Sequence, residues 1–311
     1  MSKNISLIES FNLMKNAENI AITSHIHPDG DAVGSSLTLF QILQNLNKNV
    51  KIFINDKIPD WCSILPDCNA IERFPDKNYS ADLILLLDAR VGRDGEVCEK
   101  INAPILNIDH HITNEQKADY IFLNENASST CEILFKFMQQ NNLKIDEKIA
   151  MNLYAGIATD TGFFRFDNTS AEILEIAADL IRKGAKPSLI ADSVATKTFH
   201  EIELMSKAMQ TIKLFKDGKI IGIFLDENFS DLELTDGLID MIRFTKDVDI
   251  AFLIKYDRKN VYRLRMRSRR TDISSLLKKI GGGGHIHAAG ATLKGENVVE
   301  KFISFLETSD I

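Results

Sequence analysis

The sequence of 311 residues lacks the features that mark a secreted, membrane-spanning or zinc-bound protein. Its four cysteines form no CxxC pair and no zinc spacing, so we expect reduced thiols in a reducing compartment. No stretch approaches the ~20 apolar residues of a membrane-spanning helix. The N-terminus has no apolar core of signal-peptide length. These absences exclude a disulfide scaffold and a transmembrane protein, and they predict a cytoplasmic location.

Excess positive charge is also lacking. The net charge of −7 argues against a protein that coats nucleic acid in general, because such proteins are usually basic. The segment from Lys255 to Arg270 is an exception, with eight lysines and arginines and one acid, Asp257. A local basic patch on an acidic protein indicates a small anionic ligand or a short strand in preference to a long duplex.

The apolar pattern predicts an α/β fold with a mostly parallel, doubly wound sheet. Strand-length apolar runs occur at residues 19–24, 50–54, 83–88 and 105–109, and continuous runs indicate strands covered on both faces. Helical periodicity occurs at residues 4–17, 33–46, 129–140 and 147–159, and Asp146 and Ser170 resemble N-caps. The pattern breaks near Pro187. We therefore predict a domain at 1–187, a helical linker at 188–210 and a smaller α/β domain at 211–311.

Six of the seven histidines lie in three short motifs, at residues 25–27, 110–111 and 285–287. The first motif, HIHPDGDA, lies between a strand end and a helix start, where open α/β sheets bind ligands. Its turn would let His25, Asp29 and Asp31 point into one cavity. The alternative, a turn with an aspartate N-cap, accounts for Asp31 alone.

Three further segments bring acids or imidazoles to strand and helix ends. Asp88 closes the run LILLL, where a buried acid is costly unless it pairs or binds a cation. Asp109, His110 and His111 follow the next apolar run, and adjacent residues of an extended chain face opposite ways, so only one histidine is expected to be a ligand. Asp160 ends a helix, where a negative charge opposes the helix dipole. Such carboxylate-rich sites suit manganese or magnesium, and paired ions about 3.5–4 Å apart commonly serve phosphoester hydrolysis.

Arginines and glycines dominate the motifs of the C-terminal part. Residues 263, 265, 267 and 269 are arginines that alternate along a predicted strand, which spaces them ~6.6–6.8 Å apart, similar to successive phosphates. A charged edge strand that discourages aggregation is the alternative. The run Gly281–Gly284 offers backbone N–H groups in a nest-like loop that could bind phosphate, although four glycines alone also fit a flexible turn.

Together, HIHPDGDA, Asp88, the DHH triplet at 109–111, ATDTGFF and GGGGHIHAAG resemble the DHH phosphoesterase superfamily with a DHHA1 C-terminal domain. The resemblance runs through nearly the whole chain, and the spacing of RMRSRR to GGGGH is similar to that of NrnA-type nano-RNases, which are also pAp (3′-phosphoadenosine 5′-phosphate) phosphatases. It implies metal ligands at His25, Asp29, Asp31, Asp88, His110 and Asp160, with Asp88 bridging two Mn²⁺ ions. It implies a catalytic role for His111, which Asp109 would orient. Substrate contacts are implied at Arg267, Ser268, Gly283, Gly284 and His285. Arg90, His27 and His287 receive no role from it.

The implied function is manganese-dependent hydrolysis of short oligoribonucleotides to 5′-mononucleotides, with pAp as a further substrate and a homodimer as the expected assembly. A smaller domain that closes one side of a cleft would restrict the enzyme to short strands. Cyclic- or linear-dinucleotide phosphodiesterases share the motifs and stay as alternatives. RecJ-type exonucleases are usually longer, and manganese pyrophosphatases lack the GGGGH element. A nucleotide-binding module without catalysis is a further alternative, but all six implied ligand positions hold competent side chains.

Overall fold

A computed structural model describes residues 2–75, 79–229 and 235–309 of the chain, and the side chains of residues 235, 236 and 285 lie outside the described part. The chain divides into two units, Met1–Thr196 and Lys197–Ile311, and each contains its own sheet. Within the described ranges, no helix combines the length and the apolar character that crossing a bilayer requires.

The first unit is an α/β domain built on a seven-stranded sheet. Its strands are β1 (Lys3–Asn4), β2 (Asn19–Thr23), β3 (Asn49–Phe53), β4 (Ile71–Glu72), β5 (Leu83–Leu87), β6 (Ile105–Asp109) and β7 (Tyr120–Leu123). Its helices are α1 (Leu7–Asn16), α2 (Gly30–Asn45), α3 (Val97–Lys100), α4 (Thr130–Gln140), α5 (Glu147–Asp160), α6 (Ala171–Arg182) and α7 (Pro187–Ala195). The strand order is β1-β7-β6-β5-β2-β3-β4, and every neighbouring pair is parallel. The predicted parallel sheet is confirmed.

Burial on both faces explains the continuous apolar runs of the central strands. In β5, Leu83, Leu85 and Leu87 join a large apolar cluster that includes residues of α2, α4 and α5. Ile84 and Leu86 alternate with them and join a smaller cluster on the other face. Each side chain of the strand is therefore removed from water, which is the arrangement expected when helices or loops cover both faces of a parallel sheet.

The strand order reverses between β2 and β5. From β2 the chain adds β3 and β4 on one side, and from β5 it adds β6 and β7 on the other. Because parallel strands end at the same edge, the residues that follow β2, β5 and β6 meet at this reversal. In open α/β sheets such a reversal opens a crevice at the carboxyl ends of the strands, where ligands bind.

Several predicted element boundaries move in the structure. The helix predicted from residue 4 begins at Leu7, because a capping box of Ser6 and Glu9 starts it there, while β1 pairs with β7. Helix α2 begins at Gly30, earlier than predicted, because Asp29 caps it. The predicted N-caps Asp146 and Ser170 are confirmed, since their side chains accept backbone N–H bonds from α5 and α6.

The second unit is a mixed sheet with helices. Its elements are α8 (Phe199–Met209), β8 (Lys213–Phe215), β9 (Ile220–Leu225), α9 (Thr235–Arg243), β10 (Ile250–Arg258), β11 (Val261–Ser268), α10 (Ile273–Lys278), β12 (Gly283–His285), β13 (Ala288–Lys294) and α11 (Val298–Thr308). The strand order is β12-β13-β11-β10-β9-β8. The run Gly281–Gly284, which was expected to form a nest-like loop, includes the first residues of the short edge strand β12.

Candidate metal centre

The segment after β2 places one histidine and two aspartates at the sheet edge. His25 is buried, and its Nδ1 donates to the carbonyl oxygen of Ile26 at 2.9 Å. Its Nε2 therefore faces two carboxylates, at 3.4 Å from Asp88 Oδ2 and 3.9 Å from Asp29 Oδ2. Asp29 accepts the backbone N–H groups of Asp31 and Ala32, both at 3.0 Å, through Oδ1. The other oxygen of the Asp29 carboxylate remains directed to the histidine.

Asp88 follows β5 in a left-handed backbone conformation with φ 54°, which is uncommon outside glycine. The buried side chain of Asn107 secures this turn, donating to the carbonyl oxygens of Leu86 at 2.9 Å and Ala89 at 2.8 Å. The two oxygens of the Asp88 carboxylate consequently face different histidines. Oδ2 faces His25 as described, and Oδ1 lies 3.3 Å from His110 Nε2.

Asp109, the last residue of β6, is fully buried and saturated by protein donors. Its Oδ1 accepts the backbone N–H groups of His110 at 2.7 Å and His111 at 3.1 Å, together with His111 Nδ1 at 2.8 Å. Its Oδ2 accepts the side-chain amide of Asn114 at 2.6 Å. Asp109 thus fixes the two histidines, and both of its carboxylate oxygens are engaged by protein donors.

Asp31 and Asp160 approach His110 from two helices. The Asp31 carboxylate accepts the backbone N–H groups of Thr130 at 2.6 Å and Cys131 at 2.8 Å, which belong to the first turn of α4. Asp160 ends α5, and its Oδ2 lies 3.3 Å from His110 Nε2. The free N–H groups of a helix start suit a buried carboxylate, so α4 determines where Asp31 lies.

Among the described residues, three groups of donor atoms result, and within each group the atoms lie within 4.8 Å of one another. The first contains His25, Asp29 and Asp88, the second Asp31, His110 and Asp160, and the third Asp88, His110 and His111. The first two groups together contain all six side chains that the sequence predicted as ligands. The two oxygens of Asp88 face different groups: Oδ2 faces His25 of the first, and Oδ1 faces His110 of the second.

The titratable groups of this site shift one another strongly. Burial and then the charge of Asp88 raise the pKa of Asp31 to about 7. Burial also raises the pKa of Asp160 well above its ordinary value, and the charges of Asp31 and Asp29 raise it further. Burial would lower the pKa of His110 and His25, but the adjacent Asp88 carboxylate raises the pKa of both to about 9. The protein alone therefore holds protons where four carboxylates converge.

A divalent cation fits this donor set. His110 Nε2 is buried, and no described residue forms a hydrogen bond with it, although it lies 3.3 Å from one oxygen each of Asp88 and Asp160. Donor atoms on one ion are separated by roughly 3 Å when each metal–ligand bond is about 2.1 Å. Carboxylate oxygens mixed with imidazole nitrogens are ligands that Mn²⁺, Mg²⁺ and similar ions accept. The site can therefore hold metal.

Comparison with known proteins identifies the family. Residues 19–157 match the DHH family, N-terminal domain, and residues 217–309 match the DHHA1 domain. A bifunctional oligoribonuclease and PAP phosphatase NrnA from Thermus thermophilus is 30% identical, over 93% of this chain and 88% of the relative. The chain belongs to the DHH family. The resemblance noted in the motifs is thereby confirmed, and this DHH-family chain is a phosphoesterase, a hydrolase.

Two other relatives of this DHH-family chain match along almost their full length. A Bacillus subtilis protein of the same name as the Thermus relative is 26% identical, covering 94% of this chain and 94% of its own. The crystal structure of an exopolyphosphatase-related protein from Bacteroides fragilis has 26% sequence identity and a TM-score of 0.87, covering 97% of this chain and 95% of that one. Both units of the chain thus have counterparts in these relatives.

Thr130, the first residue of α4, is a further residue of the DHH-family site. Its hydroxyl donates to Asp88 Oδ1 at 3.2 Å, while its backbone N–H donates to Asp31. The cap itself is Ser129, whose hydroxyl accepts the N–H of Glu132 at 3.0 Å. Thr130 therefore connects one residue of each predicted ligand group. A threonine at the first position of a buried helix gives no sequence signal for this role.

Thr130→Val is expected to weaken metal binding about 10-fold, within the 10–100-fold typical of groups that orient ligands. Valine keeps the volume and the backbone N–H bond to Asp31 but loses the hydroxyl that donates to Asp88. Titration of activity against Mn²⁺ concentration measures the effect. Thr130→Ser retains the hydroxyl and should titrate like the unmodified chain. Identical titrations for the valine variant would contradict this role.

The second DHH-family element, the DHHA1 unit, contains the predicted substrate residues. Arg267 lies on β11 opposite Ala288 of β13, and Gly283 and Gly284 of β12 pair with Gly290 and Ala289. Gly284 has φ 143° and lies so close to Ala288 that a side chain would meet its carbonyl oxygen at 2.5 Å, so only glycine fits there. The side chain of His285 lies outside the described residues.

Ser268 is buried, and its environment differs from the exposed position that a substrate contact suggests. Its hydroxyl donates to the carbonyl oxygen of Thr271 at 2.5 Å and lies 3.0 Å from His287 Nδ1. Two residues that the sequence left open have partners away from the three donor groups. Arg90 Nη1 lies 2.8 Å from Glu115 Oε1, and His27 Nδ1 lies 2.9 Å from Asp56 Oδ2.

Proposed function

We propose that the chain hydrolyses short oligoribonucleotides to 5′-mononucleotides and also removes a phosphate from pAp, with two manganese ions as cofactors. The observation that carries this proposal is the pair of three-residue donor groups. Asp88 Oδ2 faces the histidine of one group, and Asp88 Oδ1 faces the histidine of the other. The names of the Thermus and Bacillus relatives support the two substrate classes, and the chain spans 88% and 94% of their lengths.

His25, Asp29 and Asp88 would hold one ion, and Asp31, His110 and Asp160 would hold the other with Asp88 shared. When bound, two such ions lower the pKa of a water molecule and neutralise charge on the reacting phosphate. Four carboxylates with two imidazoles favour manganese over a closed zinc site, since oxygen donors predominate. The saturated carboxylate of Asp109 would keep His110 and His111 in fixed orientations.

His111 is the proposed contact to the reacting phosphate. Its Nδ1 donates to Asp109, so its Nε2 is directed away from that carboxylate, and its side chain is 33% exposed. Burial would lower the pKa of His111, but the hydrogen bond with Asp109 and the charge of Asp88 raise it. A protonated imidazole can donate a charge-assisted hydrogen bond to a phosphate oxygen. Proton donation from this nitrogen would stabilise charge that develops in the transition state.

The DHHA1 unit would bind the remainder of the strand. Arg267 offers a guanidinium that can bind phosphate through two parallel hydrogen bonds. Gly283 and Gly284 would let a nucleotide approach the backbone of β12 closely. His285 and Ser268 are proposed as further substrate contacts on the family resemblance alone. We also propose a cytoplasmic location, because all four cysteines are free and buried, as is usual in a reducing compartment.

The test compares initial rates on the linear dinucleotide pApA and on pAp at equal concentration with Mn²⁺. We expect release of AMP from pApA to be the faster reaction and release of phosphate from pAp to be measurable. Asp160→Ala, purified identically, should lose both activities and thereby exclude a contaminating nuclease. Oligomers of increasing length should be cleaved progressively more slowly. Absence of turnover on both small substrates would contradict the proposal and favour cyclic dinucleotides or a binding module.

A further inference from the structure

An exposed aromatic ring lies beside arginines at one end of the DHHA1 sheet. Phe244 immediately follows α9, and 54% of its surface is exposed. The guanidinium carbon of Arg243 lies 4.7 Å from the centre of its ring, and that of Arg269 lies 5.9 Å away. Met241, three residues earlier on the helix, is 57% exposed. Because much of its surface is exposed, this ring contributes little to the core, and two guanidiniums lie close to it.

The ring is placed at the end of the arginine row of β11. Leu264 and Met266 point into the apolar cluster that α10 and α11 cover, so the alternating arginines point to the other face. The backbone N–H of Arg269 donates to the carbonyl oxygen of Asp249 at 2.9 Å, which continues the pairing of β11 with β10 by one step. Arg269 is therefore the last member of the row, and Phe244 lies against it.

Bulky side chains are few on the strand next to this row. Arg267 is opposite Ala288, and Arg265 is opposite Gly290, which in turn pairs with Gly283 of the edge strand. A ligand that lies along the arginines would thus meet backbone and small side chains on that side. Strand geometry spaces the guanidiniums ~6.6–6.8 Å apart, which is similar to the spacing of phosphates in an extended single strand.

We propose that Phe244 is a stacking platform for one nucleobase of the bound oligonucleotide, with Arg269 binding an adjacent phosphate. The proposal rests on the proposed function, which supplies a polyanion with unpaired bases. Single-stranded nucleic acids are commonly bound by an aromatic face combined with a basic groove, and stacking accepts any base. A docking surface for an apolar partner fits less well, because guanidiniums flank the ring.

The experiment uses the full chain with Mn²⁺ and the trinucleotide pApApA. Phe244→Leu keeps an apolar side chain and removes the aromatic face, and we expect it to raise KM about 10-fold, in the range typical of one lost base stack. The effect on kcat should be smaller. Phe244→Trp restores an aromatic face and should keep KM within threefold of the unmodified chain. Phe199→Leu, at another exposed ring, is the matched control and should leave KM unchanged.

Substrates that lack one base identify the stacking contact itself. In three analogues of pApApA, a single adenine is removed from the first, second or third ribose. For one of them, the unmodified chain and Phe244→Leu should have equal KM, because the base that Phe244 contacts is missing. An unchanged KM for Phe244→Leu on pApApA, or the same rise on all three analogues, would overturn the platform. If the unmodified chain cleaves neither pApA nor pAp, the proposed function fails instead.

Discussion

Replacement of Asp88 by asparagine is expected to reduce kcat on pApA by about 10³-fold or more, at the upper end of what loss of one electrostatic group costs an active site. The carboxylate lies 3.4 Å from His25 Nε2 and 3.3 Å from His110 Nε2, so each of its oxygens serves one donor group. Asparagine removes the shared negative charge and replaces one carboxylate oxygen with an amide NH2 group, which cannot ligate a cation. Steady-state kinetics at saturating Mn²⁺ measure the loss.

Asp94→Asn provides a matched control for this substitution. Asp94 is also buried, but its carboxylate accepts the backbone N–H groups of Gly92 at 3.2 Å and Cys98 at 2.6 Å and belongs to none of the three donor groups. We expect this variant to retain kcat within about threefold while losing about 1 kcal/mol of stability, the typical contribution of one hydrogen bond. If Asp88→Asn retained kcat within tenfold, the shared-ligand role of Asp88 would be wrong.

Removal of divalent ions is expected to lower the Tm of the protein, by about 10 °C near pH 8 if the ions are present at a large excess over their Kd. The difference between the chelated and the Mn²⁺-loaded protein should grow as the pH rises. Differential scanning fluorimetry at pH 5.5, 7 and 8.5, with EDTA or with Mn²⁺, measures it. A difference that is constant over this range, or absent, would contradict a metal site at these residues.

The expected growth of this Tm difference with pH follows from the shifted pKa values. The pKa of Asp31 is raised from 3.8 to about 7, and those of His25 and His110 are raised from 6.5 to about 9. A group whose pKa is raised on folding stabilises the fold below its unfolded pKa, and that contribution is lost as the pH rises through the folded value. The metal-free protein should therefore lose stability between about pH 4 and 9. The pKa of Asp88 is lowered, so its contribution is lost only in acid, below 3.8. Metal binding requires deprotonated ligands and strengthens over the same rise.

The sequence predicted much of this architecture because its signals are local. The run LILLL needs no partner to be recognised as a doubly covered strand, and Asp146 and Ser170 are caps that act on residues three positions away. By contrast, β1 is two residues long, and only its pairing with β7 makes it a strand. The glycine run gave a similar difficulty, because the pairing of Gly283 with Gly290 depends on a turn that local composition does not specify.

The same distinction applies to the site. The six side chains predicted as ligands are brought together, because each lies at or next to one end of a strand or helix that the pattern already defined. Their supporting contacts are long-range and escaped prediction. Thr130 reaches Asp31 across 99 positions of sequence, and Asn107 reaches the carbonyl oxygen of Ala89 across 18. The metal-ligand and substrate roles themselves stay predictions until the variants above are measured.

Helices α2 and α5, which both contribute to the large apolar cluster, approach so closely at two glycines that directed evolution of this chain is constrained there. A side chain at Gly156 would meet Asp31 Oδ1 at 2.8 Å and also collide with the sulfur of Cys131, and one at Gly34 would meet the carbonyl oxygen of Asn152 at 2.5 Å. A larger side chain at either glycine would therefore push apart the helices that carry Asp31 and Asp160. We expect libraries that vary the residues between α2 and α5 to consist mostly of inactive members. Variation of the strand face and loops of the DHHA1 unit would instead leave the carboxylates of the proposed metal site in place.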